Sequence, residues 1–147
     1  MSHKETACSR IQHAWHAINR MYNNEAIMHD LSTTIGFILI NIDSHEGTPS
    51  THIAPLLGME PTSLSRTLLA MEKKKLISRK KDSNDGRMVR IWLTDKGLRK
   101  REISIRTVKD FNTDIENRID PKNLEIFNEV VKQITTVADE KKFTINL

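Results

Sequence analysis

"KKDSNDGRMVRIWLT", residues Lys80 to Thr94, is the stretch that decides the fold of this chain. It joins one extended segment, LISRKK from Leu76, to a second, MVRIWL from Met88, both rich in β-branched or apolar residues. Between them Asn84, Asp85 and Gly86 are turn formers. The pattern predicts a hairpin with Arg87 at its tip. Such a tip is either an ordinary solvated turn or a tool that reaches into something negatively charged. The flanking segments bear on that choice.

Upstream lie two short helices. Thr51 to Leu57 is the first, stopped by Gly58, a residue suited to a left-handed cap. EPTS announces the second: Glu60 sits beside the positive helix end, and Pro61 fits the first helical position, where its missing N–H costs nothing. Leu64, Leu68 and Met71 share one face of it, while Thr62, Ser63, Ser65, Arg66 and Thr67 fill the rest of its first two turns. Lys73, Lys74 and Lys75 close it as a solvated end, where cations favour the helix dipole.

Further out, Ile11, Trp15, Ile18 and Tyr22 recur at helical spacing and predict an amphipathic helix from Ser9 to about Met28. Ile35 to Asp43 is almost wholly apolar and predicts a helix buried on most sides, and HEGTPS then breaks the chain. Beyond the hairpin Thr94 caps a helix striped by Leu98, Ile105, Val108, Ile115 and Ile119, with Phe111 beside the stripe. Asp120-Pro121 starts a last one carrying Leu124, Phe127, Val131, Ile134 and Ala138 at near-heptad spacing. So much apolar helix outside the middle of a small chain is explained by a second copy that covers it, or by these helices packing on each other.

At 147 residues the chain suits one domain. Its longest apolar run, IGFILINI from Ile35 to Ile42, is broken by Gly36 and Asn41, far from the ~20 residues that span a bilayer. The first ten residues, MSHKETACSR, hold no apolar core of a secretion signal. Cys8 is the lone cysteine, so the expected compartment is a reducing cytoplasm. The net charge is only +4, but its distribution is informative. Pro61 to Arg101 holds 13 Lys/Arg against 4 Asp/Glu, a net +9, whereas the remaining residues hold 10 against 15, a net −5. That segregation is an electrostatic footprint for a polyanion.

Short helix, tight turn, helix with small polar residues at its start, basic hairpin: this order makes a winged helix-turn-helix. A major groove about 12 Å wide admits an α-helix, and a tip arginine can enter the narrow minor groove, where negative potential is enhanced. With 5% aromatics and no stacking platform, RNA is the weaker partner. No glycine-rich phosphate loop, nucleophile elbow or paired-carboxylate signature is present, and Ser63 and Ser65 have no evident base, so no enzyme and no cofactor are expected.

Residues 56 to 97, LLGMEPTSLSRTLLAMEKKKLISRKKDSNDGRMVRIWLTDKG, resemble the MarR family of bacterial transcription regulators. The likeness is carried by SLSRTL, by the D-G-R tip at Asp85, Gly86 and Arg87, and by the LTDKG exit; helix order extends it over nearly the whole chain. It implies a mainly α fold with a small β-hairpin wing: a winged helix-turn-helix portion at residues 31–97, and dimerisation helices at 1–30 and 98–147 of a single unit. It also implies a homodimeric repressor on a palindromic operator, modulated by a small-molecule effector. A non-specific architectural DNA binder and a redox sensor acting through Cys8 are the alternatives.

The resemblance sends the helix of Pro61, Thr62, Ser63, Ser65 and Arg66 into the major groove. It has Asp85 hold Arg87 in the wing. Lys80, Lys81 and Arg90 supply phosphate attraction, unless Arg90 braces the wing instead. Pro55 departs from the family pattern and is expected to leave its helix short or irregular. The family's pocket between dimer helices and winged domain would be lined here by Trp15, His16, Met28, Phe37 and Ile38, each of which reads equally as core. His13 and His16 lie three apart, a spacing that can ligate a metal, but no third ligand accompanies them, and no metal is expected.

Overall fold

The structure, a computed structural model, describes residues 6–141. They form six helices and a three-stranded antiparallel sheet in which β3 (Val89–Leu93) lies between β1 (Thr48–Pro49) and β2 (Ile77–Lys81). The chain divides into two compact units, one up to Thr107 and one from Val108 onward.

Helix α1 (Ala7–Met28) begins where Thr6 accepts a hydrogen bond from the Ser9 amide. It ends in a Schellman turn, with Asp30 left-handed at φ 56° and the amides of Asp30 and Leu31 donating to the carbonyls of Ile27 and Ala26. Helix α2 (Thr33–Ile40) is capped by Ser32 and buries Ile35, Gly36, Ile38 and Leu39. It starts earlier and stops sooner than its apolar run suggests. The Asn41 side chain donates to the Phe37 carbonyl at 2.8 Å, and the Asp43 carboxylate accepts from the amides of His45 and Glu46, which turns the chain away.

The HEGTPS segment is more than a break. Thr48–Pro49 forms a strand, β1, opposite Ile91 and Arg90. At the edge of the sheet the missing Pro49 N–H is tolerated. Gly47 makes the approach possible: φ is +65°, and a Cβ there would meet the Trp92 indole at 2.9 Å. Helix α3 (Ser50–Leu57) is short, as Pro55 suggests, yet it continues through that proline and stops at left-handed Gly58, φ 59°.

Helix α4 (Pro61–Lys73) has its proline in the first turn. A second Schellman turn ends it, with Lys75 at φ 57°, its amide donating to the Glu72 carbonyl and that of Leu76 to Met71. Leu76 then starts the sheet, β2 (Ile77–Lys81) pairing with β3 (Val89–Leu93) from Ile77 opposite Leu93 to Lys81 opposite Val89. Thr94 caps α5 (Asp95–Arg118): its hydroxyl accepts from the Gly97 amide at 3.0 Å and reaches the carbonyls of Lys75 and Leu76. Gly97 lies so close to that corner that a Cβ would fall 2.0 Å from the Leu76 carbonyl oxygen. Helix α6 (Pro121–Glu140) starts at Asp120, which accepts from the Lys122 amide.

The hydrophobic core runs from Leu31 to Ile91, with Ile38, Leu39, Ile42, Ile53, Met71 and Ile91 fully shielded. Each such side chain contributes roughly 1.5–3 kcal/mol of transfer free energy. Helices α1 and α6 bury no residue fully, and both carry exposed apolar groups: Ile11, Trp15, Ile27 and Met28 on α1, and Ile126, Phe127, Val130 and Val137 on α6.

Candidate nucleic-acid interface

Helix α4 is amphipathic in the sense that presentation requires. Leu64, Leu68 and Met71 fix it to the core, and Pro61, Thr62, Ser63, Ser65 and Arg66 stand exposed on the first turns. Thr67 turns its hydroxyl back onto the Ser63 carbonyl. Apart from Arg66, the exposed positions at its start carry only small side chains, so a flat or grooved surface can come close to the backbone.

The wing is built around a residue that its sequence context conceals. Asp82, the first residue of the segment that joins the two strands, is buried. Its carboxylate accepts from the amides of Asn84 (2.8 Å) and Asp85 (3.2 Å) and from Arg90 Nε (2.7 Å). The Asn84 amide first and the Arg90 guanidinium second hold its carboxyl below the ordinary aspartate range, against the opposing effect of desolvation. Its own amide donates to the Met88 carbonyl, and the Met88 amide donates to Asp85, which closes the tip. Signals for Asp82 existed in the sequence: an aspartate two residues before Asn84 can form an Asx turn, and an arginine in the next strand can reach back.

Asp85 acts on Arg87 through the backbone: its Oδ1 accepts from the Arg87 amide at 3.0 Å. That sets the turn and leaves the side chain free. Among the described residues the exposed Arg87 guanidinium has no hydrogen-bond or ion-pair partner, and the same holds for Arg66 on α4. The other two arginines of the winged portion are occupied. Arg79 pairs with Glu72 through Nε (2.9 Å) and a terminal nitrogen (2.7 Å). Arg90, half-buried, donates through Nε to Asp82 and through one terminal nitrogen to the carbonyls of Glu46 and Gly47, which is the bracing arrangement of its two readings. Lys80 lies over the Trp92 ring at 5.7 Å, and Lys81 is exposed.

The residues weighed for an effector pocket are spread over different surroundings. Ile38 is fully inside the core, and Phe37 is half-buried with the Tyr22 ring edge-on at 5.5 Å. Trp15, His16 and Met28 are exposed. A groove of about 480 Å³ runs elsewhere, between α3, α4 and the wing strands, past Pro55, Leu64, Ser65, Arg79 and Val89. Cys8 is exposed. Among the described residues no group of three or more His, Cys, Asp or Glu is placed to hold a metal, and no helix is long and apolar enough to cross a membrane.

Residues 31–89 match the sequence model of the MarR family. A search of curated proteins finds no match. The fold is similar to that of S. aureus MepR in complex with DNA, with a TM-score of 0.82 and 19% identity over 90% of this chain and 98% of the other. It is also similar to the M. tuberculosis transcriptional regulator MosR in complex with DNA, with a TM-score of 0.69 and 20% identity over 91% and 98%. CouR from Rhodococcus jostii RHA1 bound to p-coumaroyl-CoA is similar at a TM-score of 0.78 and 16% identity over 96% and 97%. At these identities the likeness shows a shared winged-helix fold.

Proposed function

We propose that this chain, which belongs to the MarR family through its residues 31–89, is a sequence-specific DNA-binding transcription regulator. It works in the cytoplasm as a homodimeric repressor on a palindromic operator, and a small-molecule effector lowers its affinity. The observation that carries the reading is the sorting of the four arginines between Pro61 and Gly97. Arg79 is held by Glu72 at the surface and Arg90 by Asp82 at the base of the wing, whereas among the described residues Arg66 and Arg87 stand without a partner on a helix and on a hairpin tip. Those are the two shapes that fit a major and a minor groove. Arginine suits both tasks, being always charged and carrying five donors in a rigid fork.

The apolar side chains left exposed on α1 and on α6 support the dimer, since exposed apolar faces of that kind are covered by a partner. Two reading heads then fall on half-sites about one duplex turn, ~34 Å, apart. An effector that alters their separation weakens several contacts together, which is a coupling free energy and needs no catalysis. Selection of bound duplexes from a random pool at fixed salt tests this reading. A palindrome is the expected product. Equal affinity for all sequences would make the protein an architectural binder instead.

A further inference from the structure

The outward face of α4 sets an apolar side chain beside a cation. Leu64, Leu68 and Met71 face the core, so the opposite side of the helix is the stripe Thr62, Arg66, Leu69 and Lys73, spaced i, i+4, i+7 and i+11. All four are exposed. Thr62 is short, and Lys73 sits in the last turn, where a cation suits the helix end. Two long side chains remain in the middle. Arg66 has no partner among the described residues, and Leu69 is 43% exposed on an otherwise polar face. The flanking Ser63, Ser65 and Ala70 are too small to screen either of them.

We infer that Arg66 and Leu69 are the residues that set sequence preference, and that each half-site carries a G·C pair next to a T·A pair; this rests on the DNA-binding reading above. Guanine offers two acceptors, N7 and O6, on its major-groove edge, which match the two parallel donors of a guanidinium. Adenine offers one acceptor and one donor there, so a group with donors only leaves one of them facing another donor. The thymine methyl is the apolar feature of the same groove and the natural contact of an exposed leucine. Three residues of helix advance about 4.5 Å, close to the ~3.4 Å step between bases on one strand. Arg66 and Leu69 thus address neighbouring pairs.

The test uses the full-length protein and the duplex that emerges from pool selection. Replacing the half-site guanine by 7-deazaguanine removes one acceptor and is expected to weaken the native protein by on the order of tenfold, while leaving Arg66→Ala, already weakened, unaffected. Replacing the adjacent thymine by uracil removes only the methyl and is expected to weaken the native protein but not Leu69→Ala. Both substitutions fall on exposed side chains, and melting curves matching the native one confirm intact folding. A native protein indifferent to 7-deazaguanine at every guanine, or an Arg66→Ala variant that remains sensitive to it, overturns the assignment of Arg66. Indifference of the native protein to uracil overturns that of Leu69. Failure to select any palindrome, together with an Arg87→Ala variant that binds like the native protein, overturns the DNA-binding reading itself.

Discussion

Arg90 Nε and Asp82 Oδ2 are 2.7 Å apart across the base of the wing, and the same guanidinium reaches the carbonyls of Glu46 and Gly47. One side chain therefore clamps the hairpin to the loop that leads into β1. The tip that presents Arg87 is fixed at its root.

Removing the Arg90 clamp is expected to lower the melting temperature and weaken DNA binding together, because Asp82 would be left buried without its cation. Arg90→Ala should cost clearly more than Arg79→Ala, whose pair with Glu72 is largely solvated. Thermal melts of the two variants side by side check the order; equal losses would remove the clamp from the account.

Acid should loosen the wing. Asp82 has a folded pKa below that of an unfolded aspartate, so its contribution to stability is present above about pH 4 and is lost as pH falls through the folded value. Stability curves measured from about pH 5 downward should fall less steeply for Asp82→Asn than for the native protein.

Lys75 and Gly97 make opposite predictions at one corner. Lys75 occupies a left-handed conformation that costs an L-residue roughly 1–2 kcal/mol, so Lys75→Gly is expected to be neutral or to stabilise by up to about 1 kcal/mol once glycine's extra entropy is counted. Gly97→Ala should destabilise by about 1–3 kcal/mol or more, because its Cβ would collide with the Leu76 carbonyl. Gly86 is the control: its φ is not positive and no atom lies within 4 Å of a Cβ built there, so Gly86→Ala should gain about 0.4–1 kcal/mol. Denaturant titrations read all three.

Arg87→Ala should leave the melting temperature unchanged and weaken binding to the selected operator, reducing the slope of log affinity against log salt by about 1 if the contact is to phosphate. An unchanged affinity would remove Arg87 from the interface.

Phe127→Asp and Val130→Asp, on the exposed face of α6, should shift sedimentation toward the single chain at micromolar concentration. Unaltered sedimentation of a native dimer would place its interface elsewhere.

How much of this was legible depended on whether a residue's neighbours in sequence were also its neighbours in space. Pro61, Gly58, Thr94 and Asp120 mark helix ends by local chemistry, and the structure has helix ends at each of them. The hairpin followed from the turn formers Asn84, Asp85 and Gly86 between two extended segments, and the exposed polar start of α4 from the Leu64, Leu68 and Met71 face opposite small polar residues. Strand β1 did not, because two residues, one of them proline, carry no period. Asp30 and Lys75 were invisible as left-handed positions, since neither is glycine. For Arg90 the sequence left phosphate attraction and bracing of the wing both open, and only the fold, which brings its Nε to Asp82, shows the brace. Leu69 drew no notice from the sequence, and the placement of the core shows that it faces outward.

Every fully enclosed apolar side chain among the described residues falls between Leu31 and Ile91. The winged portion therefore has its own enclosed core, while α1 and α6 enclose no side chain fully. In the homodimer proposed above, dilution would undo the pairing before the heads: each would still grip a half-site, but nothing would gauge the distance between two of them. Scarcity by itself would then blunt discrimination among promoters, with no inducer involved.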